Sequence, residues 1–124
     1  MKLVWIALGG ALGTIARYEL DAWAQQRLGT AFPFGVLFVN VLGSFAMGFV
    51  MHAGAETDVL SPTVRITLAT GLIGGFTTYS AFNHDLLRFL QAGTWSVALL
   101  YVGATLLGCL AAGWVGWMCA KIFF

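Results

Sequence analysis

The chain has 124 residues, 60% of them hydrophobic and only 9% charged, with a mean hydropathy of +0.88. A soluble domain carries about 25% charged residues, so six basic and five acidic side chains are too few to clothe a water-soluble fold of this size. The net charge of +1 leaves no basic field for nucleic acid, and two cysteines in one apolar stretch, Cys109 and Cys119, argue against both a disulfide framework and a metal cluster.

Spanning the hydrocarbon takes about 20 mostly apolar residues as a helix, and four segments qualify in turn. The first, 3–23, is apolar except for Arg17. Lys2 and the apolar run behind it resemble a signal peptide, but three further apolar segments follow and removal would leave an odd number, so the segment is read as retained. The second, 34–52, is entered through Phe32-Pro33-Phe34. A polar turn with Glu56, Asp58, Ser61 and Pro62 marks the start of the third, 64–90, which is interrupted near Gly74-Gly75. The fourth is 95–122. This pattern predicts an all-α integral membrane protein of four transmembrane helices, the third broken near its middle, and no soluble domain.

Charge placement bears on orientation. With four spans, Lys2, Arg65 and Lys121 share one side of the membrane, and Arg27 and Arg88 the other, with Arg17 undecided until its depth is known. The Lys/Arg difference that fixes orientation is therefore zero or one. A chain without bias is expected to insert both ways up, with upright and inverted copies pairing as an antiparallel dimer.

Polar residues inside the spans are costly unless they pair or face water. Asn40 sits midway along the second helix with Ser44 four residues on, on the same face. Tyr101, Thr105 and Cys109 form one stripe along the fourth helix. The third segment is densest: two glycines followed by Thr77-Thr78-Tyr79-Ser80 make a poor continuous helix, and non-helical backbone at membrane depth survives only where buried in protein or lining a wet cavity. Carbonyls freed by such a break can ligate a small cation. Tyr79 and Phe82 share a helix face, and the positive ring edge of an aromatic can meet an anion, although ordinary aromatic packing is the usual fate of such a pair.

These stretches, with Gly9-Gly10-Ala11-Leu12-Gly13 leading to Arg17-Tyr18, Pro33-Phe34-Gly35 leading to Val39-Asn40, Gly43-Ser44, and Thr70-Gly71 through Phe82, resemble the Fluc (CrcB) family of bacterial fluoride channels over nearly the whole chain. The resemblance implies an antiparallel dual-topology homodimer in the bacterial inner membrane, with two narrow fluoride pathways and a structural sodium ion at the dimer centre. By position it implies Asn40 as the pore asparagine, Tyr79 and Phe82 as the aromatic box, Gly74 and Thr77 as the sodium-binding carbonyls, and Tyr101, Thr105 and Cys109 as the polar track. Three positions depart from the family pattern: Tyr79 for phenylalanine, Val36 for a pore-facing threonine, and Cys109 where some relatives have serine.

The chemistry suits a small, strongly hydrated anion. Asn40, Ser80, Tyr101 and Thr105 are neutral donors that replace water without trapping the ion as a fixed cation would. Arg17 is expected to anchor the first helix by snorkelling, with attraction of anions to a vestibule as its second role. Two other classes share features of this sequence. A small dual-topology multidrug exporter needs a carboxylate at the centre of its first helix, whereas Glu19 and Asp21 follow Arg17 toward the end of that segment. A non-transporting assembly subunit would explain small-residue packing at Gly9/Gly13 and Gly71/Gly75 but not the broken third helix. His52 and His84, near span ends with no nucleophile or ligand cluster, read as interfacial residues and argue against an enzyme.

Overall fold

A continuous helix opens the chain: in the computed structural model, which describes residues 1–124, α1 runs over Lys2–Leu28. It continues to Leu28, beyond the expected end at 23. Two features carry it on: Gln25 Nε2 donates to Asp21 Oδ2 at 3.0 Å one turn back, and Ala24 is buried. Gly29 ends it at φ +80, a left-handed conformation that glycine adopts without steric cost.

The second helix, α2 (Phe34–Met51), continues into a wider π-helical turn over His52–Glu56. The third segment begins two residues before the expected 64, with Pro62 in the first turn and Ser61 Oγ accepting from the Val64 N–H at 3.3 Å. It comprises α3 (Pro62–Ile66), a π-helical stretch Thr67–Ile73, α4 (Gly74–Phe76), two extended residues, and α5 (Tyr79–Gln91). The last helix is α6 (Trp95–Phe123). The molecule is all-helical. Three of its helices, α1, α2 with its π extension, and α6, are long and apolar enough to cross a membrane. The other helical segment is the broken one, whose two halves are each shorter than such a span.

The break lies at Thr77 (φ −83, ψ 157) and Thr78 (φ −152, ψ 119), not at the two glycines named from the sequence. Gly74 and Gly75 are helical, and Gly75 serves close packing instead. A Cβ there would stand 2.5 Å from the Gly10 carbonyl oxygen, and one on Gly9 would stand 2.9 Å from that of Thr67. Small residues on both faces thus let α1 and the third segment touch backbone to backbone. The same device joins α2 to α6, where Gly48 faces the Gly113 carbonyl and Gly116 that of Phe45.

Register follows from these contacts. Val41 lies against Gly108, Ser44 against Gly113 and Phe45 against Gly116, so α2 and α6 run in the same direction. Gly9 against Thr67 and Gly13 against Leu72 and Phe76 give the first and third segments the same relationship. Alternate segments run parallel, as short connections between successive crossings require. Large apolar side chains such as Leu12, Leu99, Leu107 and Ile122 stay exposed on the outside, where lipid tails can cover them.

Candidate functional site: a polar cleft at the helix break

Breaking a helix frees backbone groups that must find other partners. Here Asn40 supplies them. Its Oδ1 accepts from the Thr78 N–H at 2.8 Å, and its Nδ2 donates to the Thr78 carbonyl at 2.9 Å. One amide side chain thereby stands in for a strand partner at the one residue that most needs it, and its second N–H remains without a partner in the chain. Thr78 then restarts the helix: its Oγ1 accepts from the Ala81 N–H at 3.2 Å and lies 3.3 Å from Ser80 Oγ. Thr77 ends the preceding half, its N–H and Oγ1 both donating to the Ile73 carbonyl at 2.9 and 3.0 Å.

Arg17 completes the break from the other side. It stands inside the long α1, its Nε donating to the Gly75 carbonyl at 3.2 Å. Arg17 therefore lies inside α1 and not near a helix end, where the anchoring expectation placed it. The side chain points to the helix break, half-buried, because α1 extends beyond it for three turns. Glu19 and Asp21 are likewise inside α1 and not at its end; Asp21 packs against Gly35. The carbonyls of Gly74 and Thr77 accept no hydrogen bond within the chain.

Beside the break lies a cleft of about 350 Å³ lined by Asn40, Gly43, Ser44, Met47, Ile73, Thr77, Thr78, Tyr79, Phe82, Thr105, Leu106 and Cys109, with no charged side chain among them. The sequence-derived candidates Asn40, Thr77, Tyr79, Phe82, Thr105 and Cys109 meet here. Tyr79 and Phe82 form an edge-to-face pair with centroids 5.7 Å apart, Tyr79 largely exposed and Phe82 buried. Thr105 is 93% buried, given its 7% residual exposure, and its hydroxyl has no partner. A buried hydroxyl without a partner is costly, and Thr105 is one of the residues that line the cleft.

Three candidates fall elsewhere. Tyr101, fully buried, is behind the cleft: its ring stacks on Phe82 at 5.0 Å and its hydroxyl reaches Asp85 Oδ2 at 3.4 Å. Stacking draws it into the aromatic core with Phe32 and Phe89, off the line of Thr105 and Cys109. Ser80 is exposed beside the cleft with its hydroxyl against Thr78, and Gly74 is exposed on the open face of α4. Val36 belongs to the core and to a second, charged cleft of about 290 Å³ that includes Asp21, His84, Asp85 and Arg88.

Sequence reasoning missed Thr78 and Met47. Met47 was legible, since it lies seven residues after Asn40 on the same helical stripe. The partnership of Asn40 with Thr78, across 38 residues, had no local signal. His52, expected at an interface, is buried: its Nδ1 is 2.9 Å from Glu56 Oε2, though without hydrogen-bonding geometry, while Trp117 Nε1 donates to Glu56 Oε1 at 3.1 Å.

Long apolar helices, alternating segment directions and a helix break braced by Asn40 beside an uncharged polar cleft define a multi-pass helical membrane protein built around a discontinuous helix. Residues 4–117 match the family described as CrcB-like protein, Camphor Resistance (CrcB). The chain is 50% identical over 117 residues to a protein of Sorangium cellulosum named fluoride-specific ion channel FluC, covering 94% of this chain and 92% of that one. Proteins of the same name from Anaeromyxobacter dehalogenans and Acidobacterium capsulatum are 47% and 43% identical, over 90% and 94% of this chain and 88% and 93% of theirs. The chain belongs to the CrcB family, and it is a multi-pass protein of the bacterial membrane.

Proposed function

We propose that this chain is a fluoride-selective ion channel, not an enzyme, which lets fluoride leave the cytoplasm passively. Relatives named for that activity support the reading, and one observation carries it: Thr105, whose buried hydroxyl has no partner, lines an uncharged cleft shared with Asn40 and Phe82. A dehydrated fluoride ion needs close O–H and N–H donors. The Thr105 hydroxyl, the second N–H of Asn40 and the Ser44 hydroxyl offer them, with ring edges of Phe82 and Tyr79 adding positive potential. Tyr101 backs the Phe82 ring, and Ser80 and Cys109 flank the path. Because no donor is a fixed cation, release is as feasible as entry.

The functional unit in this reading is an antiparallel homodimer of dual topology. Arg17 bonds to the Gly75 carbonyl next to the break and in this reading counts toward neither side; three basic residues then face two. A bias of one is too small to impose a single orientation. The exposed face of the break, with Gly74, Tyr79 and Ser80, is where the second copy packs.

Gly74 and Thr77 fit the structural sodium ion of this reading. Their carbonyl oxygens lack hydrogen-bond donors, and neutral oxygen ligands suit a hard alkali cation. Bound there, sodium would supply charge compensation for carbonyls that the break leaves without partners.

Growth tests the reading. In a bacterium deprived of its own fluoride export, expression of this chain is expected to restore growth on fluoride medium. Failure of a well-expressed, membrane-inserted chain to do so contradicts it.

A further inference from the structure

A further cleft, of about 520 Å³, opens between the start of α1, the end of α2 and the start of the third segment. Its charged side chains are both cations, Lys2 and Arg65, and no carboxylate lines it. Neither cation has an ionic partner in the chain. Arg65 is half-buried and pinned: its Nη1 donates to the Gly54 carbonyl at 2.9 Å, and its other N–H groups have no partner. Glu56, the acidic residue closest to Gly54 in sequence, is engaged on α6 instead, its Oε1 accepting from Trp117 Nε1 at 3.1 Å and its Oε2 beside His52. The cleft therefore holds two uncompensated positive charges.

Its lining is graded with depth. Gly9 faces the Thr67 carbonyl, and α1 and the third segment run parallel. Lys2 is seven residues before Gly9 and Arg65 two before Thr67, so at about 1.5 Å per residue they lie about 10 Å and about 3 Å outward of that contact. The long, flexible Lys2 stem spans that difference. Ala69 lies about one turn deeper than Arg65, and Met51 about one turn deeper than Gly54, which packs against the Arg65 side chain. Ile66 adds to this apolar part, where the Thr70 hydroxyl is the one polar group. Trp5, one turn after Lys2, lines a neighbouring groove with Ser61 and Thr63, and tryptophan is enriched at the headgroup level of a bilayer. Cations at the outer end with apolar side chains below match an anionic phospholipid, head outward and chain inward. A free anion would leave the apolar part unfilled.

We propose that this cleft binds one anionic phospholipid, its phosphate held by Arg65 and Lys2 and the start of an acyl chain lying over Met51, Ile66 and Ala69. Basic pockets between transmembrane helices take anionic headgroups, and a guanidinium donates to phosphate oxygens in charge-assisted hydrogen bonds. Arg65 supplies the geometry, since the Gly54 carbonyl fixes its planar fork, and Lys2 supplies a mobile charge at the outer end. The site does not depend on the channel reading.

Native mass spectrometry of the purified full chain in detergent tests it, with dioleoyl phosphatidylglycerol, the matching phosphatidylcholine and glycerol phosphate as probes. One phosphatidylglycerol is expected per chain, held about tenfold or more tightly than phosphatidylcholine, with no glycerol phosphate retained. Lys2→Gln and Arg65→Gln are each expected to weaken its retention about fivefold. Lys121→Gln, which removes a cation over the Trp117 ring at the same end of the bundle, is expected to leave retention unchanged. Lys2 is exposed beside the chain terminus, so its variant reads the site without disturbing the π-helical turn that Arg65 braces. Equal retention of the two lipids, or retention unaltered in Lys2→Gln, overturns the site. A loss in Lys121→Gln equal to that in Lys2→Gln overturns it in favour of general surface charge. Glycerol phosphate held as firmly as phosphatidylglycerol overturns the lipid assignment and leaves a site for free phosphate.

Discussion

Asn40 and Thr78 exchange two hydrogen bonds, at 2.8 and 2.9 Å, between the middle of α2 and the break in the third segment. The pairing gives Asn40 a structural role alongside the one proposed for it in the pathway, and it separates two kinds of substitution. Asn40→Ala leaves both the N–H and the carbonyl of Thr78 without partners, each costing about 1–3 kcal/mol in a buried setting. Lower thermal stability in detergent and loss of fluoride flux are expected together. An Asn40→Ala protein as stable as the parent would show that the break holds without its side-chain partner.

Thr105 offers the opposite case. Its hydroxyl is buried without a partner, so Thr105→Val, nearly equal in shape, removes an unsatisfied group and is expected to leave the melting temperature unchanged or higher. A hydrogen bond to a charged group is worth about 1.5–3 kcal/mol, so fluoride flux is expected to fall about ten- to hundredfold. Thr105→Ser, which keeps the hydroxyl, is expected to retain flux. Equal flux in the valine variant would remove Thr105 from the pathway.

Tyr79 and Phe82 differ in what their loss disturbs. The Tyr79 hydroxyl has no partner in the chain and the residue is 77% exposed, so Tyr79→Phe is expected to keep flux within about tenfold. Phe82 also stacks on Tyr101 in the core, and Phe82→Ala would cost about 3–5 kcal/mol in stability. Phe82→Leu fills the space without the ring edge, and is expected to lower flux while the protein stays folded. Comparable flux in Phe82→Leu and the parent would assign the ring to packing.

Much of this fold is legible in the chain because the bilayer simplifies the problem. Apolar length marks the helices and Ser61-Pro62 starts the third segment, whereas the first helix runs past the expected 23 to its stop at Gly29. The exact site of the break was not legible. Gly74-Gly75 looks like a helix breaker in isolation, yet Gly75 packs on Gly10 while Asn40 stabilises the extended residues two positions further on. The destination of Arg17 was hidden for the same reason, since its acceptor, the Gly75 carbonyl, is 58 residues away. Tyr101 shares the stripe of Thr105 and Cys109 by spacing, but a stacked contact with Phe82 takes it behind the cleft. Helical periodicity gives the face a residue occupies, and the partners on neighbouring helices decide which part of that face lines a cavity.

Orientation is open to a direct test. With a proposed bias of at most one basic residue, a C-terminal reporter is expected on both sides of the membrane. Two or three lysines added at one terminus are expected to fix a single orientation and to abolish activity when that variant is expressed alone. A unique orientation of the unmodified chain would overturn the antiparallel assembly.

Anion efflux from liposomes holding the purified protein bears most directly on the central claim. The proposed path runs through an uncharged cleft lined by Thr105, Asn40, Tyr79 and Phe82. Rapid loss of internal fluoride is expected, with chloride retained in parallel vesicles over the same interval. Chloride released as fast as fluoride, or fluoride retained by vesicles that carry folded protein, would contradict the account.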